Sequence, residues 1–593
     1  MSNSPYVSTR WSLDELIPTG SGPDMESVFA DLEAAVAAVE QKRSALAPEI
    51  GERAFVEMLE LIERSEYVSQ LLDGYSILRL FADMRDQDAV ACRGRVDGAL
   101  AEAKNRTLFF DLWWKALDET NAKRLLKAAG DRAYHLETLR SFAPYTLSEA
   151  EEKVINLKNV NGADGMVTLY RMITSGLTFD IEIQGEAGTE TRTLSRSELM
   201  DFSRDSSPEL REAAFRSLLD VYEAHSGELA QIYKHIVADW HDENVTLRGM
   251  ASPISVRNVE SDVPDDVVTC LLETCRDNVG LFQRYFGLKA KWLGLEKLRR
   301  FDLYAPLKDT EKEFPFADGV QLILDSFRGF SPKLAELAER ALTEGHLDSI
   351  PREGKRGGGV TWDALPGVTP WILVTYADRV RDVTTLAHEL GHAAHALMAA
   401  DHSVLTFSPP LPLAETASSF AQVLLLETML EGADSETRRA LLAKYVEDSY
   451  FQIQRSGFVA LFEQEAHRLI AEGAAPDELS DAYMEILHEQ FGESVELDDM
   501  LRFQWMSMRQ LYAMPFYSYA YAFGLLLVLG LYQRYKAEGD AFVPSYLRIL
   551  AYGGSKAPIA ILDEAGFDIR SKAFWQAGFD VLASMVDELE ALS

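Results

Sequence analysis

The chain has 593 residues, with 94 acidic against 58 Lys and Arg side chains, a formal net charge of −36, and 47% hydrophobic residues. That apolar content supports a large folded core and excludes a disordered polymer, while the charge argues against nucleic acid and anionic membranes as partners. Cys92, Cys270 and Cys275 are too few for a disulfide framework and lack C-x-x-C spacing, which predicts reduced thiols and a cytoplasmic protein.

In chain order, the opening MSNSPYVSTRWSLDEL carries no apolar run and no cleavage pattern, so no signal peptide is expected. Residues 26–46, 52–83, 86–130, 148–160 and 207–247 repeat apolar side chains every three or four positions, the period of amphipathic helices. Ser148 with Glu151 three residues later predicts a capping box. GLTFDIEI at 176–183 followed by TRTLS at 191–195 predicts a hairpin. RFDLYAPL at 300–307 and PWILVTYA at 370–377 are further strand candidates. GKRGGGV at 354–360 lacks the Lys-Ser/Thr order of a phosphate loop and predicts a flexible or closely approached loop. AFGLLLVLGLY at 522–532 is too short to span a bilayer. The expected fold class is mostly α, with a small sheet just before residue 380.

LAHELGHAAHAL at 386–397 places three histidines on one helix face: at ~100° per residue, His388, His392 and His395 fall near 0°, 40° and −20°. His388-Glu389-Leu390-Gly391-His392 is an H-E-x-x-H. Imidazoles at i and i+4 can meet one ion, and the Glu at i+1 reaches the open coordination position. Asp382 or Thr384 is the expected N-cap of this helix. A catalytic zinc takes three protein ligands and one open position, so a third ligand must come from elsewhere. Met398 stands where a metzincin would have its third histidine. Glu415, 23 residues past His392, is the candidate: a helix–loop–helix of that length can return it to the first helix. Ser418, Ser419 and Gln422 flank or share its face as outer partners. A 392/395 pair would leave Glu389 a turn away from the open site, so His395 is read as a packed or outer-layer histidine. RQLYAMPFYSYAYAFG at 509–524 predicts a helix from about Pro515, with Tyr517 and Tyr521 as i, i+4 neighbours and Tyr519 on the other side. An aromatic stripe is by default core, but a phenol can also donate to an oxyanion.

TLAHELGHAAH, LAETASSF, FDLYAPL and PFYSYAYAFG, in that family's motifs, resemble the oligoendopeptidase F branch of the thimet-oligopeptidase-like zinc peptidases. The resemblance implies a large helical, clam-like or channel-bearing metallopeptidase, with residues 1–200 an N-terminal helical region carrying a hairpin and residues 201–593 the catalytic domain. It implies one zinc ion held by His388, His392 and Glu415, Glu389 as general base, and Tyr517 or Tyr521 stabilising the oxyanion. It also implies that 357–362, including Gly358, and 370–376 pair with the substrate backbone as an added strand, and that short peptides are the substrates. Two positions depart from the family pattern: Gln510 stands where a histidine is common before the PFY segment, and Gln422 where a glutamate often follows the third ligand. Alternative readings are a helical metallocarboxypeptidase and a peptide-binding relative without turnover.

Overall fold

Asp86 and Asp118 show how this sequence sets its helix boundaries. Each carboxylate accepts hydrogen bonds from the two backbone N–H groups that open the next helix, at 2.9 and 3.2 Å for Asp86 and 3.0 Å each for Asp118. These caps start the helices Gln87–Thr107 and Glu119–Ala129; between them lies Phe109–Ala116, separated at Leu108 without a side-chain cap, so the periodic stretch 86–130 holds three helices. The stretch 207–247 likewise divides at His225 into Pro208–Ala224 and Ser226–His241. Ser148 and Glu151 form the expected capping box.

The computed structural model describes residues 6–20, 22–185, 188–307 and 313–593. With 71% of the chain helical and only small sheets, the mostly-α expectation holds. No helix of the described residues is long and apolar enough to cross a membrane. Two compact units form, each built from separated stretches: Met1–Ala143, Glu311–Gly432 and Leu531–Asp568 in the first, Pro144–Thr310, Ala433–Gly530 and Ile569–Ser593 in the second.

In the first unit the helices Gly22–Gln41, Glu52–Ala82 and Gln87–Thr107 bury Val36, Val68, Leu72, Leu78 and Val96 around one core, which also takes in Trp371. A fully buried Trp of this kind contributes about 3 kcal/mol or more through its apolar area. Trp371 belongs to the predicted small sheet. Leu347–Asp348 pairs parallel with Trp371–Leu373, which pairs antiparallel with Val360–Trp362, so the last strand lies at the sheet edge. The Gly-rich loop before that edge strand is pinned from inside: buried Lys355 Nζ donates to Asp348 Oδ1 at 2.8 Å and to the Val374 carbonyl at 2.7 Å, and Arg352 also bridges Asp348. The buried Asp348 carboxylate meets the buried Lys355 charge, as burial requires, and shares it with partly exposed Arg352. The sheet leads directly into the helix Val380–Met398.

In the second unit the predicted hairpin is present, Phe179–Gly185 antiparallel to Gly188–Leu194. RFDLYAPL is not a strand. Among the described residues the strand pairing nearest it is Leu298–Arg299 with Val495–Glu496, and Arg300–Asp302 form a 3-10 turn. The cause is electrostatic: the buried Asp302 carboxylate is held by Arg211 at 2.7 Å and Arg299 at 2.6 Å, which folds the chain back.

Candidate active site

The helix Val380–Met398 begins without either expected N-cap residue. Arg379 is the N-cap, and Asp382, one turn in, accepts from the backbone N–H groups of Ala377 at 2.8 Å and Arg379 at 3.1 Å. A carboxylate in the first turn satisfies orphan donors and complements the helix dipole as well as a cap would. The partner helix, Thr416–Leu430, packs against it at Gly391. A Cβ on Gly391 would stand 2.6 Å from both the Ala417 carbonyl oxygen and the Ser418 Cα. Only glycine lets the two backbones approach this closely, and that approach sets the distance between His392 and Glu415.

The result is a convergent group. His388 Nε2 lies 3.3 Å, and His392 Nε2 3.4 Å, from the same oxygen, Glu415 Oε2. Among the described residues, His388, His392 and Glu415 are the one set of three with ligand atoms all within 4.8 Å that could hold a metal ion. Glu415 keeps 48% of its side chain accessible, so the group opens on one side. Ser418 Oγ donates to Glu415 Oε2 at 2.6 Å and fixes the carboxylate.

The charges around this group are uneven. Burial works against ionising Glu415, yet the hydrogen bond and charge of His392, with His388 and Ser418, hold its carboxyl at about 2. Burial also disfavours the cation on His392, but Glu415 outweighs it and raises that imidazole above its usual value. His388 is lowered, first by burial and then by the charge of His392, because one carboxylate cannot neutralise two imidazolium ions. Gln422 lies beside His388, whose Nδ1 is buried without a partner in hydrogen-bonding geometry. His395 is buried and its imidazole is held neutral, pulled down to about 3 by burial and then by His392.

Glu389 is buried, 5% exposed, and its carboxylate is oriented by a residue the sequence did not single out. Thr361 Oγ1, on the sheet-edge strand, donates to Glu389 Oε2 at 2.7 Å. The glycine that matters here is Gly359. A Cβ on it would lie 2.2 Å from Glu389 Oε1, whereas Gly358, with φ of +81°, faces open space. Asp363 is a second unanticipated neighbour: burial pushes its carboxyl up while the charge of His392 opposes the shift.

The tyrosine segment belongs to the second unit. Its helix begins at Tyr519, later than expected, because Phe516 takes a left-handed conformation, φ of +57°. The Phe516 N–H donates to Glu463 Oε1 at 2.8 Å, which holds that strained turn. Tyr517 and Tyr521 meet edge to face with ring centroids 5.5 Å apart, Tyr521 is 39% exposed, and Tyr519 is buried. Gln510 is exposed on the short helix Arg509–Ala513.

Glu463 is fully enclosed, and burial pushes its carboxyl up to about 8, against the opposing Phe516 hydrogen bond. In the unfolded chain the same group releases its proton near its ordinary value of about 4.3. Stability therefore falls as pH rises from about 4.5 to 8, by several kcal/mol in all, with the loss complete above the folded-state value. Glu463→Gln keeps an acceptor for the Phe516 N–H and removes the ionisation. Denaturant unfolding at pH 5 and pH 8 is expected to show a flatter pH slope for the variant; parallel slopes would contradict a proton held at Glu463.

Comparisons with known proteins bear on these geometries. A model for peptidase family M3 matches residues 202–581, and one for oligopeptidase F matches residues 113–179. The chain is 26% identical over 550 residues to an oligoendopeptidase F homolog of Borreliella burgdorferi, covering 91% of this chain and 90% of that one. It is 25% identical over 466 residues to oligopeptidase PepF of Bacillus subtilis, covering 78% and 69%. Among solved structures, a Chlamydophila abortus protein matches with a TM-score of 0.88 over 98% of both chains at 21% identity. Oligoendopeptidase-F from Enterococcus faecium matches with a TM-score of 0.72 at 20% identity, over 96% of this chain and 98% of that one. The fold and sequence together define the class, a mostly helical peptidase of the oligopeptidase kind. The chain belongs to peptidase family M3.

Proposed function

We propose that this M3 peptidase is a zinc-dependent endopeptidase that hydrolyses short, unfolded oligopeptides. The observation that carries the reading is the convergence of His388, His392 and Glu415 on one point, with Glu389 locked beside them by Thr361. Two imidazoles and one carboxylate are the donor set of a catalytic zinc, with a fourth position left for water or substrate. Zinc in such a site supplies Lewis acidity, activating water and polarising the peptide carbonyl.

The chain's own residues supply the rest. Ser418 orients the Glu415 carboxylate, and Gln422 is the polar group placed to orient His388. Glu389 is the general base. With Oε2 tied to Thr361, Oε1, which accepts no hydrogen bond among the described residues and lies over the bare Cα of Gly359, is the atom assigned to take the proton from water and pass it to the leaving amine. Tyr517 and Tyr521 take the oxyanion-donor role that the family resemblance implies, a role in which a preorganised hydroxyl contributes most when charge develops. His395 and Gly358 carry no step.

Gly359→Ala tests the base's placement separately from the metal. The new methyl is expected to displace Oε1 and lower kcat about 100-fold with zinc content unchanged, because misplacing a catalytic group by an ångström has effects of that order. Wild-type kcat in this variant would mean that the position of Oε1 is not what turnover depends on. The reaction class is tested with peptides blocked at both ends. Internal cleavage supports the endopeptidase, and cleavage only of peptides with a free C-terminal carboxylate would replace it with the metallocarboxypeptidase.

A further inference from the structure

In the second unit a small cavity lies between the π-helical turn Tyr450–Arg455 with the helix Ser456–Ala471 that continues it, the helix Pro476–Phe491, and the turn that carries Arg300. Its polar lining is Arg300, Arg455, Tyr450, Tyr483 and Gln490. Every one of these offers hydrogen-bond donors, and two of them are cations. Arg300 is 7% exposed, and neither it nor Arg455 makes an ion pair with any carboxylate among the described residues. Asp302, two residues from Arg300, is already held by Arg211 and Arg299. Arg300 donates to the side-chain oxygen of Gln504 at 3.2 Å, which also accepts from the Tyr483 hydroxyl at 3.1 Å, and its guanidinium lies over the Phe491 ring at 5.7 Å, as that of Arg455 lies over Phe451 at 4.7 Å. Arg300 Nε, the Tyr450 hydroxyl and Gln490 Nε2 are buried without any partner.

That arrangement is unbalanced in one direction. A guanidinium taken out of water costs several kcal/mol unless an opposite charge meets it, and buried donors cost about 1–3 kcal/mol each when left unmade. The three unmade donors, one of them on buried Arg300, share one space with half-buried Arg455, and no carboxylate among the described residues pairs with either guanidinium. The space admits about one water-sized sphere, room for a single monatomic species and too little for phosphate or sulfate. A water there would bring its own two protons into a site where unmet donors and positive charge predominate. Burial keeps the Tyr450 and Tyr483 hydroxyls protonated, so they remain donors. A π-helical turn opens the wall at this point, a distortion often found where a helix forms a site.

We propose that this cavity is a binding site for one monovalent, monatomic anion of the chloride class, held by Arg300, Arg455 and the Tyr450 hydroxyl. It is separate from the candidate active site and independent of the peptidase reading.

The test uses the full chain in thermal unfolding, with sodium gluconate replaced stepwise by sodium chloride at constant ionic strength. A ligand that binds only the folded state raises the midpoint by mass action, so a saturable rise with chloride is expected. Tyr450→Phe removes one donor with little change of shape and is expected to raise the half-saturating chloride concentration about tenfold or more, since hydrogen bonds to a charged partner carry effects of that order. Arg455→Gln is expected to abolish the chloride response. The proposal is overturned if the wild-type midpoint is the same in both salts at every composition, or if Tyr450→Phe responds to chloride as the wild type does.

Discussion

Replacing Glu389 by Gln is expected to lower kcat for peptide cleavage by about 10³-fold or more while zinc stays at one equivalent per chain. General-base catalysis contributes about 10²–10⁴-fold, and the effect of losing this carboxylate is expected to be of that order. The amide is isosteric and its carbonyl oxygen can still accept from Thr361, so the local packing is preserved. What is lost is the ability to take a proton at Oε1. Measured with saturating peptide and with metal analysis on the same preparation, a loss of turnover with full metal assigns the effect to the base. Retained turnover would remove Glu389 from the proton path.

Glu415→Ala acts on the other half of the site and is expected to reduce zinc affinity by more than about 100-fold. Changes to groups that merely support a ligand already have effects of 10–100-fold, and this one removes a donor outright. It also withdraws the counter-charge that raises His392, leaving two imidazoles close together with their rings 4.9 Å apart. Ser418 would lose its acceptor at Oε2. Competition with a chromogenic chelator measures the change. Undiminished affinity would mean another group completes the donor set, and Asp363, close enough to His392 to feel its charge, would be the first to examine.

How much of this was legible in the sequence depended on how local each cause was. The H-E-x-x-H pair is fixed by helix geometry alone, and the return of Glu415 follows from the length of one connection. Gly391 was inside the motif, but its purpose was not visible: the collision it avoids is with the backbone of the partner helix. Thr361, 28 residues from Glu389 in the chain, and Gly359 beside it act on that carboxylate from the sheet edge, and no periodicity in the sequence reports such a contact. The run of three glycines marked a closely approached loop without saying what approached it. RFDLYAPL misled because its alternating apolar residues mimic a strand, while Arg211, distant in sequence, decides the conformation by binding Asp302. The tyrosine helix started late for a similar reason, a left-handed Phe516 held by the remote carboxylate of Glu463.

Digestion of a defined peptide mixture, followed by mass spectrometry before and after metal removal, tests the central claim most directly. Internal cleavage of short peptides is expected from protein carrying one zinc, with loss of cleavage on chelation and recovery when zinc is restored. Undiminished cleavage by protein shown to be metal-free would contradict the claim.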